Sequence, residues 1–158
     1  MNKNFMKKSF TLAELLIIIS LIAIIATFGT LSLYSYWHSK TLEGAAKKIA
    51  IYLEFAKTKS IVQENKSSWG VHFENPTSSR SFFSLFYNTY STSTVRETIY
   101  LPKEIDFSDP SEGNFKEITF EKITGKLPTS FQIKIHFTSS PSEEKTIEVN
   151  TFGRVDIK

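Results

Sequence analysis

The stretch Lys7-Lys8-Ser9-Phe10-Thr11-Leu12-Ala13-Glu14-Leu15-Leu16-Ile17-Ile18-Ile19-Ser20-Leu21-Ile22-Ala23-Ile24-Ile25-Ala26 decides how this chain is read. From Leu15 to Trp37 no residue is formally charged, a run of 23. A helix needs about 20 apolar residues to cross a hydrocarbon core about 30 Å thick, so this run is long enough to span a bilayer. Lys3, Lys7 and Lys8 precede the run and no lysine lies within it. That asymmetry predicts a cytoplasmic N-terminus, with the chain after the span on the outer face.

The charge balance follows the same division. The 158-residue chain has a formal charge of +3, and the three leading lysines are its whole surplus. Residues 10–158 hold 16 bases and 16 acids. A chain that is neutral beyond its first residues lacks the phosphate-neutralising surplus of a general DNA binder, so nucleic acid is not an expected partner. Arg154 and Lys158 are the C-terminal bases that could contact it, and Asp156 sits between them. With 41% hydrophobic and 22% charged residues, the chain has the composition of a folded protein. The absence of cysteine excludes a disulfide framework, a thiolate metal site and a cysteine nucleophile.

A secretory signal peptide would need a short apolar core and a small-x-small cleavage site. Here the core is too long, and Ala26-Thr27-Phe28-Gly29 is a poor site. A plain single-pass anchor fits the length and the lysines but leaves Glu14 unexplained. An acid costs about 2.5–3.5 kcal/mol at the centre of a membrane helix and less near its end. A place in the first helical turn offsets part of that cost.

The string Lys7-Lys8-Ser9-Phe10-Thr11-Leu12-Ala13-Glu14-Leu15-Leu16 resembles the class III leader of type IV pilins and type II secretion pseudopilins. The resemblance implies that a prepilin peptidase removes residues 1–9, cutting between Ser9 and Phe10. Phe10 would then be N-methylated, and Glu14 would be the fifth mature residue. Two positions depart from the family pattern: Ser9 stands where Gly is usual before the cut, and Ala13 where a larger aliphatic is common. In such families the apolar helices bundle into a filament core. A carboxylate there needs a partner, and the expectation is that Glu14 pairs with the Phe10 amine of an adjacent subunit. Residues 10–39 are thus expected to form the membrane and filament-core helix, and 40–158 a globular domain outside the cytoplasm.

Beyond the span, Leu42, Ala45, Ala46, Ile49, Leu53, Ala56 and Ser60 recur at three- and four-residue steps, the stripe of a core-facing helix. Glu43 and Lys47 are spaced to support it as an i,i+4 pair. No proline interrupts Phe10–Glu64, 55 residues that would measure about 80 Å as one helix at about 1.5 Å per residue. Asn65-Lys66-Ser67-Ser68 punctuates the pattern, and strand signals follow. They cover Trp69–Phe73, Ser81–Tyr87, Val95–Leu101, Ile118–Phe120, Phe131–Phe137, Lys145–Asn150 and Val155–Ile157. Phe131–Phe137 alternates cleanly, which predicts one buried and one wet face. Thr124-Gly125-Lys126 and Phe152-Gly153-Arg154 read as turns, Thr89–Thr94 and Thr138–Ser142 as polar loops. The sum is α+β: a long N-terminal helix packed on a C-terminal antiparallel sheet domain.

The order of these pieces, with Trp69-Gly70-Val71-His72-Phe73 after the helix and a closing pair ending in Gly153-Arg154-Val155, is similar to the GspH/FimT branch of minor pseudopilins and pilins. No enzyme motif emerges. His38, His72 and His136 are scattered without a second ligand at metal spacing, and His72 and His136 read as surface histidines on strands. No catalytic, cofactor-binding or metal residue is assigned, and no cofactor is expected. The function implied by the resemblance is a structural subunit of a type II secretion pseudopilus or type IV pilus. Its partners would be the membrane, the prepilin peptidase, other pilin subunits and secreted cargo. Its place would be the bacterial inner membrane first and the filament afterwards. A DNA-uptake pilus subunit and a single-pass anchored β-domain are the alternatives.

Overall fold

The computed structural model describes residues 11–158, the side chains of 27–35 and 38 excepted. The leader charges Lys3, Lys7 and Lys8 and the cleavage and methylation positions Ser9 and Phe10 lie outside the described residues. Helix α1 is 50 residues, Leu12–Ile61. The chain divides into two units, one ending at Ser39 and the other running Lys40–Lys158.

In the first unit, the Glu14 backbone N–H donates to Thr11 Oγ1 at 3.2 Å. Thr11 therefore caps the helix, and Thr11-Leu12-Ala13-Glu14 has the Thr-x-x-Glu spacing of a capping box. Ser20 keeps its hydroxyl satisfied within the helix, donating to the Leu16 carbonyl at 2.7 Å. Every described side chain from Thr11 to Ala26 is exposed. The large apolar ones range from 43% exposure at Ile18 to 77% at Leu12. Among the described residues no helix is long and apolar enough to cross a membrane. Within the uncharged run Leu15–Trp37, the side chains of 27–35 lie outside the described residues.

The second unit behaves as its periodicity predicts. Leu42, Ala45, Ala46, Ile49, Leu53, Ala56 and Ser60 are all buried. Alanines at 45, 46 and 56 let the backbone approach closely, while Ile49 and Leu53 fill the space between helix and strands. Full burial of one such aliphatic side chain is worth about 1.5–3 kcal/mol. The helix ends because Gln63, Asn65 and Lys66 take left-handed backbone angles, with a 3-10 turn at Glu64–Lys66. Trp69 then ties the turn to the helix. Its backbone N–H donates to Ser60 Oγ at 2.7 Å, and its indole N–H donates to the Glu64 carbonyl at 2.9 Å.

Eight strands follow: β1 Trp69–Asn75, β2 Phe82–Tyr87, β3 Val95–Tyr100, β4 Ile105–Asp109, β5 Asn114–Phe120, β6 Phe131–Phe137, β7 Ser140–Val149 and β8 Val155–Ile157. They form two antiparallel four-stranded sheets, in the orders β3-β2-β1-β5 and β4-β6-β7-β8. Phe73 on β1 meets Phe107 on β4 edge-on at 5.9 Å and Phe131 on β6 at 5.8 Å, so the sheets share one core. Tyr52 joins the helix to it, edge-on to Phe83 at 5.3 Å.

The α+β arrangement is the expected one, with five differences in detail. Two sheets stand where one was expected. β4 was not anticipated, β5 begins at Asn114 rather than Ile118, and β7 begins at Ser140 inside the supposed polar loop. Ser140–Glu144 and Asn114–Glu117 turn mostly exposed side chains outward, so their apolar signal is weak and backbone pairing alone makes them strands. The helix also stops at Ile61, short of Glu64.

Candidate assembly surfaces

The first surface is the N-terminal helix. A helix that is apolar all round is normally buried, in protein or in lipid. Residues 12–26 are apolar all round except for Glu14 and Ser20, and among the described residues every one of their side chains is exposed. Glu14 sits in the first turn of α1, where a carboxylate is favoured by the partial positive charge of the unpaired N–H groups. The expected amine partner, that of Phe10, lies outside the described residues. At the other end of the uncharged run, Tyr36 and Trp37 contact each other edge-on at 6.5 Å, and both are exposed.

The second surface lies on the outward face of the first sheet. Strand alternation sends Trp69, Val71 and Phe73 inward and Gly70, His72 and Glu74 outward. Register then sets the neighbours. Glu74 lies between Phe82 on β2 and Phe115 on β5, and His72 between Ser84 and Glu117. His72 was expected at the surface and is instead buried, at 2% exposure. The reason is aromatic cover that period-two reasoning on one strand cannot supply. Tyr90, from the Ser/Thr-rich loop, stacks flat on the imidazole at 3.7 Å, and Phe115 stacks at 5.3 Å. His72 Nδ1 is 2.9 Å from Glu117 Oε1, and Nε2 is 3.2 Å from Glu74 Oε2.

The loop that delivers Tyr90 is held in place from within. Thr94 Oγ1 donates to the Thr89 carbonyl at 2.6 Å, and the Ser91 N–H donates to Thr94 Oγ1 at 2.9 Å. Gly70 completes this face. A Cβ there would meet the Ile118 carbonyl oxygen at 2.3 Å and the Phe86 ring at 2.7 Å. The Trp-Gly string thus exists because the Phe86 ring lies over the backbone of β1.

Other candidate residues come out differently. His136 is half-buried on β6, and its Nδ1 has no hydrogen-bond partner. The side chain of His38 lies outside the described set. Among the described residues no three His, Asp or Glu side chains gather as metal ligands. Arg154 and Lys158 each hold a carboxylate, Asp156 at 3.1 Å and Glu148 at 2.6 Å. The Glu148 contact pushes the Lys158 ammonium pKa up. A cleft of about 510 Å³ over the second sheet is lined by Asp109, Lys116, Gln132, Glu148 and Asp156, and the Lys116 ammonium is paired with Asp109. On the helix, Glu43 is held by Lys47 at 2.6 Å and Lys40 at 2.9 Å. Hydrogen bonds from these two ammoniums bring its carboxyl pKa down to about 2.

Neither a protein-family profile nor a curated protein matches the sequence. Solved structures do. One crystal structure of the type IV minor pilin FimU from Pseudomonas aeruginosa strain PAO1 superposes with a TM-score of 0.51 at 13% identity, over 74% of this chain and 92% of that one. A second crystal form of the same pilin gives 0.54 at 12% identity, over 78% and 92%. At that identity the likeness is one of fold, and it covers nearly all of the pilin's resolved chain. Both neighbours are pilins and not enzymes. The α+β fold of this chain is a type IV pilin fold.

Proposed function

We propose that the chain is a structural subunit of the minor pilin and pseudopilin kind, of the GspH/FimT branch, and catalyses nothing itself. It is made as a precursor whose residues 1–9 face the cytoplasm. Residues 10–39 hold it in the inner membrane, with 40–158 on the outer side. A prepilin peptidase cuts between Ser9 and Phe10, Phe10 is N-methylated, and the subunit joins other pilin subunits in a secretion pseudopilus or a type IV pilus. No cofactor takes part.

One observation carries this reading. A helix that is apolar on every side, with a single carboxylate in its first turn, belongs to a chain whose remainder has a pilin fold. Such a helix demands an apolar environment, lipid before assembly and other helices after it. Glu14 is the exception that assembly resolves, because a neighbour's terminal amine offers the paired charge that lipid does not.

The test is incorporation. In cells that contain the peptidase and the other filament subunits, the chain is expected in the sheared filament fraction. The Glu14→Gln variant is expected to remain in the membrane fraction. Equal recovery of both from filaments would remove the role assigned to Glu14. Absence of the wild-type chain from filaments under all conditions would remove the subunit reading itself.

A further inference from the structure

A cluster of acids and aromatic rings surrounds His72 on the outward face of the first sheet. Its residues point away from the shared core. Glu74 and Glu117 remain about one-third exposed, at 38% and 36% of their side chains. Phe115 is 63% exposed. Among the described residues no lysine or arginine pairs with either carboxylate; each has only the His72 imidazole. A neutral imidazole has one N–H to donate, so it satisfies one of the two acids, and a doubly protonated ring satisfies both. In either state at least one negative charge in the cluster has no compensating cation.

The walls add a second kind of attraction. Phe82 and Phe115 flank Glu74 in register on the adjacent strands, and both rings lie within 6.4 Å of the imidazole. Aromatic faces beside a carboxylate are the chemistry that holds a cation, since the ring quadrupole and the acid pull on the same charge. The negative field is felt by the neighbouring phenol. The Tyr90 pKa is pushed up first by burial, then by the Glu74 carboxylate, with Glu117 adding to it against a Ser84 hydrogen bond. The chain also uses this chemistry one strand further out, where the Arg80 guanidinium lies 5.4 Å from the centre of the Tyr100 ring. Arg80 is thereby engaged with Tyr100, the residue paired with Phe82.

We infer that Glu74, with Phe82 and Phe115 as walls and Glu117 behind, is a binding site for a basic side chain, the guanidinium or ammonium of a partner protein. An anionic ligand is repelled by the two acids, and a purely apolar one would leave them unpaired. The inference stands independently of filament assembly.

N-acetyl-arginine amide is the probe, titrated into the full-length protein in a nonionic detergent and followed by amide and aromatic NMR shifts. Its neutral isostere, N-acetyl-citrulline amide, is the control. Saturable shifts confined to residues around 74, 82 and 115 are expected with the arginine probe and not with citrulline. Phe115→Leu is expected to weaken binding by about two- to fivefold, given about 0.5–1 kcal/mol for an exposed cation–π contact, and Glu74→Gln, which removes the opposing charge, is expected to weaken it at least as much. Unchanged shifts elsewhere in both variants will show that they remain folded. The proposal is overturned by equal shifts with citrulline, by no shift with arginine, or by undiminished binding in a folded Glu74→Gln variant.

Discussion

Residues 12–26 and residues 42–60 lie on the same helix, yet they answer to different partners. The second stretch alternates, and the apolar half of its circumference is consumed by this chain's own sheets: Ile49, Leu53 and Ala56 are fully buried. The first stretch does not alternate, and all its described side chains are exposed. Amphipathicity thus marks where the helix is completed within the chain. Its loss marks where completion must come from lipid or from other molecules.

Substitutions can break this contrast if it is wrong. Leu53→Ala is expected to destabilise the 40–158 unit by about 2–5 kcal/mol in denaturant melts, the cost of a lost core side chain and the cavity it leaves. Ile17→Ala should leave the same melt unchanged within about 0.5 kcal/mol. A comparable loss from both would mean that the first stretch also contributes to the stability of the domain. Gly70→Ala is expected to cost about 1–3 kcal/mol, because the added Cβ collides with backbone as well as with the Phe86 ring. Ser60→Ala should cost about 1–2 kcal/mol, since the Trp69 N–H loses its acceptor in a buried place. Gly44→Ala sharpens the comparison from the other side. Nothing lies within 4 Å of its Cβ position, so a small gain of up to about 1 kcal/mol in helix propensity is expected.

The smallest effect is electrostatic. The hydrogen bonds from Lys47 and Lys40 bring the Glu43 carboxyl pKa down from 4.5 to about 2 in the fold, so the folded state binds its proton less readily than the unfolded chain. Its contribution is therefore present above about pH 4.5 and is lost as pH falls toward 2. Wild type should lose more stability than Glu43→Gln across that window, and added salt should shrink the difference. Identical acid profiles at low salt would show that the lysine contacts contribute nothing.

How much of this was legible depended on what each residue faces. The helix stripe and Phe131–Phe137 were readable because one side of each meets the core and the pattern repeats it. β4 was missed although Ile105 and Phe107 alternate with Asp106 and Ser108, as a five-residue strand offers only two apolar repeats. The start of β7 could not be read from side chains at all, since Ser140–Glu144 is written in turn and charge residues and is paired through its backbone. The His72 cluster was hidden for another reason. Its members come from β1, β5 and the loop at Tyr90, and only the register of the sheet brings them together. The Thr11-x-x-Glu14 cap, by contrast, was present in the sequence and overshadowed by the resemblance that shares its residues.

The most direct measurement is the N-terminus of the protein recovered from cells with and without prepilin peptidase, determined by intact mass and terminal sequencing. With the peptidase, the chain is expected to begin at Phe10, lacking residues 1–9 and carrying one additional methyl group; without it, it should begin at Met1. A chain that still begins at Met1 in the presence of active peptidase would contradict the pilin-type reading.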